Sequence, residues 1–160
     1  MARTQAPVTS AVRALREAGV AFEPHLYAYE DKGGTRVSAR ELGVDEHQVI
    51  KTLVMQADDG EPLIILMHGD LQVSTKELAR QLGHRRVAPC DPATAEKHTG
   101  YQVGGTSPFG TRRPLPVYVQ RTVLELPRIY INGGKRGFLV SMHPSELSRV
   151  LGAEPVDAAQ

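Results

Sequence analysis

Apolar residues along this chain switch repeatedly between a spacing of two and a spacing of three to four, and the switches mark out short elements. Val8, Val12 and Leu15 fall at i, i+4 and i+7, which predicts an amphipathic helix capped by Thr9 and stopped by Gly19. Residues 20–29 read as extended, with Pro24 placing them at a sheet edge or bend. A loop over 31–34 leads into a small helix that ends at Leu42 and Gly43. Residues 49–56 and 63–68 are expected to form a hairpin through Asp58-Asp59-Gly60-Glu61. Ser74 and Glu77 make a capping box ahead of Leu78, Ala79 and Leu82, with Gly83 at the C′ position. Asp91-Pro92 opens a further helix running to about His98 and Gly100. Strands are expected over 117–123, 129–131 and 138–142, and a last helix from Pro144 through Leu151 stops at Gly152. Hairpin-spaced strands with short helices between them predict the α+β class, a single domain over 1–160 with a mixed or partly closed sheet.

Composition changes this picture little. A chain of 160 residues, 41% hydrophobic and 23% charged, has the size and balance of one globular domain with a proper core. Its longest apolar run, 63–67, is a strand's length and too short to cross a bilayer, so no membrane association is expected. Residues 1–30 lack the features of a signal peptide, and the single cysteine, Cys90, fits a reducing compartment. A cytoplasmic location follows as the expectation. Charge is more informative, because a net +1 hides an uneven distribution. From Lys76 to Arg136 there are eleven Lys/Arg against four Asp/Glu, and the rest of the chain carries an acidic excess. Gathered on one face, the basic tract would attract a polyanion; spread out, it is a solvated surface.

Candidate chemistry centres on two glycine-rich runs and one lysine. Gly104-Gly105-Thr106-Ser107-Pro108-Phe109-Gly110 offers backbone without Cβ atoms, two hydroxyls and a proline that stiffens the turn. Asn132-Gly133-Gly134-Lys135-Arg136-Gly137 adds two cations. Each run alone reads as a turn, while the pair suggests a site for a polar, anionic ligand. Neither matches a dinucleotide fingerprint or a P-loop. Lys51 lies in a strand pattern on the face of Val49, Leu53 and Met55, where an ammonium is costly unless it reaches water or an anion. It is either a lysine that snorkels off a sheet edge or a cation at a pocket wall. The six histidines and Cys90 show no zinc-ligand spacing, and no G-x-S-x-G elbow is present. Cys90 sits at a helix start, where a thiol pKa can be lowered, yet with no partner histidine in evidence the expectation is a packing or passive cap-side thiol. No metal or cofactor is implied.

Val49-Ile50-Lys51-Thr52-Leu53, residues 99–110 and residues 130–137 together resemble the YbaK branch of the prolyl-tRNA-synthetase-associated editing domains. That resemblance spans nearly the whole chain and implies an α+β fold around a mixed, barrel-like sheet with surrounding short helices. It implies a trans-editing deacylase that removes cysteine from Cys-tRNA(Pro), the substrate's own thiol attacking its ester to leave a cyclic thiolactone. Lys51 would then be the pocket lysine needed for activity, and Tyr27 the tyrosine of the His25-Leu26-Tyr27 stretch. Gly104, Gly105, Thr106, Ser107, Pro108 and Gly110 would wrap the aminoacyl end and terminal adenosine, with Gly133 and Gly134 in the second loop. Asn132 stands where relatives carry Ser, so it keeps hydrogen-bonding ability but not a hydroxyl. Arg112, Arg113, Lys135 and Arg136 are the expected tRNA contacts, and prolyl-tRNA synthetase is a candidate partner. Two rival readings remain open: water-mediated removal of another small residue such as alanine, and a non-catalytic tRNA- or nucleotide-binding module.

Overall fold

A computed structural model describes residues 6–160. Helix α1, Ser10–Glu17, starts at Thr9, whose extended backbone and side-chain oxygen accepting from the Val12 N–H make it the N-cap. Val8 therefore precedes the helix and is exposed, while Ala11, Val12 and Leu15 are buried. An edge strand follows, β1 (Glu23–Leu26), then α2 (Gly34–Leu42), which ends on left-handed Gly43. The expected hairpin is β2 (Val49–Ala57) and β3 (Pro62–His68). Next come α3 (Thr75–Leu82), β4 (Val87–Pro89), α4 (Pro92–Thr99) and β5 (Val117–Gln120). A second hairpin, β6 (Ile129–Lys135) with β7 (Phe138–Met142), leads to α5 (Ser145–Leu151) and β8 (Glu154–Val156).

All eight strands join one mixed sheet in the order β1-β7-β6-β2-β3-β5-β8, with β4 attached to β2 off this path. The β2–β6, β3–β5 and β5–β8 pairs are parallel and the others antiparallel. The α+β class and the mixed sheet with short helices are as expected. The sheet is open rather than a closed barrel, since it ends at β1 and β8. Pro24 is tolerated because β1 pairs on one side only, with β7.

β2 organises the sheet. One edge pairs with β3 from Ile50 to Gln56. Along the other edge, Val49 and Ile50 pair with β6, while Met55 to Ala57 pair with β4. Between these stretches β6 and β4 diverge. β3 is buried along its whole length, with layers on both faces. On one side Ile64 and Leu66 pack with Val119, Ile131, Val140 and the buried residues of α1 and α5. On the other, Leu63 and Ile65 meet Met55, Val87 and Leu78 of α3. Each such fully buried aliphatic side chain contributes roughly 1.5–3 kcal/mol of transfer free energy.

Several details differ from the sequence expectation for physical reasons. The strand expected over 117–123 stops at Gln120, because Arg121–Glu125 wind into a 3₁₀ turn that drops Val123 into the core. β6 continues through Gly133 and Gly134 to Lys135, with a bulge after Asn132, so most of the second glycine run is strand. The capping box is half formed. The Ser74 hydroxyl accepts from the Glu77 N–H, but the Glu77 carboxylate turns to Arg80 and Gln81, and the Ser74 N–H donates to Ala158. β4 and β8 were not expected; both are three residues long and form by pairing with longer strands.

At the end of β3 the His68 side chain is fully buried. Its Nδ1 lies 2.7 Å from the His47 carbonyl, which can only accept, so Nδ1 carries the proton and Nε2 accepts from the Thr122 hydroxyl at 2.7 Å. Burial is the main cause that holds its pKa below the ordinary 6.5, against the His47 carbonyl, which raises it. The unfolded chain therefore takes up a proton below about pH 6.5 that the folded chain resists, and stability falls as pH drops through that range. His68→Gln is expected to flatten the decline in melting temperature from pH 6.5 downward, relative to the unsubstituted protein, as read by thermal denaturation across pH.

Candidate active site

The divergence of β6 and β4 from β2 opens a cleft of about 710 Å³. Residues Val49 to Met55 of β2 form its floor. Tyr27, Tyr29 and Lys32 line it from the segment between β1 and α2, Thr35 lines it from the first turn of α2, and Pro89, Cys90, Pro92 and Ala95 line it from β4, α4 and the link between them. Gly104, Thr106, Asn132 and Arg136 complete the rim. Of the residues singled out in the sequence, Tyr27, Lys51, Gly104, Thr106, Asn132 and Arg136 line this one cleft.

Lys51 is a partly buried cation on the cleft floor, with no hydrogen bond or ion pair among the described residues. Burial pushes its pKa below the ordinary value, and the charges of Glu46 and Asp70 pull it partway back. Glu46 is itself held by the Thr35 hydroxyl at 2.8 Å, and that same hydroxyl reaches the Gly69 carbonyl at 3.1 Å. Of the two sequence alternatives for Lys51, the geometry favours the cation at a pocket wall. Tyr27 is partly buried as well, and desolvation raises its pKa, so its phenol stays protonated at neutral pH.

Asn132 ties the two glycine runs together. Its Nδ2 donates to the Gly104 carbonyl at 3.1 Å, and its Oδ1 accepts from the N–H groups of Gly134 and Lys135 at 2.7 and 3.1 Å. Its Oδ1 and one of its two Nδ2 N–H groups are thus engaged by the protein. The two backbones meet closely, since a Cβ on Gly105 would lie 2.8 Å from the Arg136 nitrogen. Arg136 closes the same corner, with Nε donating to the Val103 carbonyl at 2.8 Å and its guanidinium 5.2 Å from the Tyr29 ring centre.

Several expected ligand contacts instead pack against protein. Ser107 is fully buried and its hydroxyl accepts from the Phe109 N–H. Pro108 is buried beside it. Gly105 faces the Lys135–Arg136 backbone, Gly133 faces the Phe138 ring, and Gly134 faces Tyr101 and Thr9. Gly110 is left-handed (φ 63°) and lies against the backbone of α1. The buried Tyr101 hydroxyl donates to the Phe109 carbonyl at 2.6 Å, and desolvation takes its pKa up to about 12. These glycines let two loops and a helix touch, which a sequence cannot distinguish from glycines that let a ligand touch.

The basic tract also divides. Arg80, Arg113, Arg121 and Arg128 each pair with a carboxylate, of Glu77, Glu61, Asp157 and Glu23 respectively. Arg112 and Arg113 sit at the end of α4, where their N–H groups donate to Thr99 and His98, and they do not line the cleft. Lys135 is exposed on the strand beside Arg136. Lys32, unnoticed in the sequence, adds a cation to the rim from a left-handed position (φ 60°). A non-glycine residue in that conformation was invisible to pattern reading.

Two other groups bear on the chemistry. Cys90 lines the cleft, but burial and then the neighbouring Asp91 push its thiol pKa up, opposite to the lowering that a helix start suggested. His47, His68 and Asp70 bring donor atoms within 4.8 Å of one another. Both His68 nitrogens are engaged, however, and its ring stacks on His47 at 3.7 Å and 7°, so the in-plane lone pairs do not converge on one point.

Residues 31–150, which carry the cleft floor, both glycine runs and most of the rim, match the family described as "Aminoacyl-tRNA editing domain". The chain belongs to that family. Aminoacyl-tRNA deacylation is accordingly the activity of such an editing domain. EbsC of Enterococcus faecalis, a candidate Cys-tRNA(Pro)/Cys-tRNA(Cys) deacylase, is 27% identical over 140 residues, 87% of this chain and 85% of its own. The proline–tRNA ligase of Streptococcus suis is 32% identical over 97 residues, which are 61% of this chain but 16% of the ligase. The fold of a candidate trans-editing enzyme for prolyl-tRNA synthetase superposes with a TM-score of 0.83 at 24% identity, covering 97% of this chain and 99% of that one.

The packing role of Gly110 in this editing domain can be measured. A Cβ there would lie 2.4 Å from the Ser10 carbonyl oxygen, on a left-handed backbone. Gly110→Ala is expected to cost about 2 kcal/mol or more in stability, read as a lower melting temperature, with KM unchanged where the variant remains folded. A raised KM at an unchanged melting temperature would instead place Gly110 against substrate.

Proposed function

We propose that this editing domain removes cysteine from Cys-tRNA(Pro), acting in trans, with the substrate's own thiol as the nucleophile. The observation that carries the reading is the chemical make-up of the cleft. Among the described residues its floor carries the Lys51 cation among apolar side chains, backbone and hydroxyls, and its rim adds Asp31, Lys32, Asn132 and Arg136. No histidine lines it, and its one thiol is made less acidic by its surroundings and has no hydrogen-bonded base. A site without a paired nucleophile and base suits a substrate that brings its own nucleophile. Folding the aminoacyl group so that sulfur approaches the ester carbon replaces an intermolecular encounter with an intramolecular one. The new C–S bond forms as the carbonyl electron pair moves onto oxygen. Collapse then breaks the ester C–O bond, and the ribose oxygen departs with the thiol's proton.

Lys51 fits this chemistry as an unpaired, partly desolvated ammonium that stabilises thiolate or oxyanion. Leu53, Met55, Pro89 and Ala95 give the cleft an apolar side suited to a small side chain. In this reading Lys32 and Arg136 on the rim, with the exposed Lys135 beside them, meet the phosphates of the acceptor end, and Arg112 and Arg113 reach only a more distant part of a bound tRNA. Prolyl-tRNA synthetase, which holds the charged tRNA, is the proposed partner, and the cytoplasm the proposed location. No helix among the described residues is long and apolar enough to cross a membrane.

A panel of aminoacylated tRNAs tests the reading directly. Cys-tRNA(Pro) is expected to turn over far faster than the alanyl and seryl forms, and Cys90→Ser to retain activity near that of the unsubstituted protein. Lys51→Met should lower turnover by about 10²–10³-fold at an unchanged melting temperature. Release of alanine at the cysteine rate would reject the thiol mechanism in favour of activated water.

Salt dependence tests the basic rim. Neutralising Lys32 and Arg136 together should lower the log–log salt slope of tRNA binding by roughly 0.7–0.9 for each phosphate that no longer meets a cation. The same change at Arg112 and Arg113 should have a smaller effect. Equal slopes for all variants would make these charges a solvated surface only.

A further inference from the structure

The split edge of β2 leaves backbone groups without a strand partner on the cleft floor. The Val49 carbonyl accepts from Gly69 and the Ala57 N–H donates to Glu61, both on the β3 side. Strand alternation therefore turns the peptide groups of odd-numbered residues toward β3 and those of even-numbered residues toward the other edge. There Ile50 meets β6 and Gln56 meets β4, and the Val54 carbonyl accepts from the Cys90 N–H at 3.0 Å. Among the described residues, the Thr52 N–H, the Thr52 carbonyl and the Val54 N–H have no partner, and both residues line the cleft. The Thr52 hydroxyl is buried, so it is not the part of this residue that the cleft reaches.

The sequence itself opens this gap. Asn132 Oδ1 captures the Gly134 and Lys135 N–H groups and bends β6 away as its pairing with β2 ends at Ile131. On the other side β4 ends at Pro89, and Asp91 caps a helix beginning with Pro92, which turns the chain out of the sheet. The result is a donor–acceptor–donor row on a central strand, with its two N–H groups roughly 6.8 Å apart. Buried backbone groups are nearly always satisfied, so an open row inside a cleft calls for a partner.

We propose that this row takes the aminoacyl group as a one-residue strand, the Thr52 carbonyl accepting from its α-ammonium and the N–H of Thr52 or Val54 donating to its ester carbonyl oxygen. The assignment rests on the deacylase reading above. An aminoacyl ester carries a donor and an acceptor on either side of its Cα, as a residue of a paired strand does, and every amino acid offers the same two groups. Backbone pairing therefore fixes the reacting carbon whatever the side chain, and leaves the cleft wall to select among side chains. When sulfur or water adds to that carbon, charge grows on an oxygen already held by a rigid N–H.

Amide-to-ester replacement of single residues isolates each backbone donor. Esters at Thr52 and Val54 delete N–H groups that face the gap, and an ester at Leu53 deletes one that faces β3. A fall of about 10²–10³-fold in kcat/KM for the Thr52 or Val54 ester, at an unchanged melting temperature, is the expected result. The Leu53 ester, which loses an N–H that does pair with β3, should instead lower the melting temperature. Full activity in both the Thr52 and Val54 esters would overturn the proposal. Absence of turnover in the all-amide protein would instead reject the deacylase reading. In that case hydrogen exchange with amide-linked cysteinyl-adenosine decides the proposal. Protection of the Thr52 or Val54 amide supports it, and exchange unchanged at both amides with saturating analogue overturns it.

Discussion

A β-strand has two hydrogen-bonding edges, and the architecture of this protein follows from how β2 uses them. One edge goes to a single neighbour, β3, and the other is divided between β6 and β4, which approach from opposite ends and in opposite senses. Two strands that meet the same edge from different directions cannot merge, so they part. The parting makes a cleft whose floor is a strand rather than a loop. Rigid pairing to β3 keeps that floor in place, and the layers on both faces of β3 back it.

The rim is built differently, from close backbone approach. Gly105 against Lys135 and Arg136, Gly134 against Tyr101, and Gly110 against Ser10 join segments far apart in the chain. Asn132 adds a clasp between the two runs, and Arg136 fastens the corner through Val103 and Tyr29. Little of this touches the cleft interior. It holds in position the few groups that do, above all Lys51, Gly104 and Tyr27.

The elements that could be read from the sequence were those whose pattern is local. The β2–β3 and β6–β7 hairpins, and the helices capped by Thr9, Ser74 and Asp91, carry their own alternation or capping residues. β4 and β8 do not, because three residues make no pattern and only a neighbouring strand defines them. The same division holds at the site. Lys51 stood out because a charge interrupts an apolar strand face, and Asn132 because it belongs to a glycine-rich run. Lys32 and the cleft-facing position of Cys90 depend on how distant segments meet. Ser107 and Gly133 looked like ligand contacts because close packing and close binding select the same small residues.

The order in which pairings form during folding follows from the same topology. The two hairpins join residues that are neighbours in sequence, whereas β2–β6 brings together Ile50 and Ile131, and β5–β8 joins Tyr118 to Glu154. Long loops must close before such pairs form, so pairings of this kind arise late. The cleft lies on the seam between the first hairpin and the second, with β2 as its floor and Asn132 and Arg136 brought to its rim only when the second hairpin docks. A chain still emerging from a ribosome thus holds the floor before the rim, and the cleft closes into a ligand site only when β6 docks on β2.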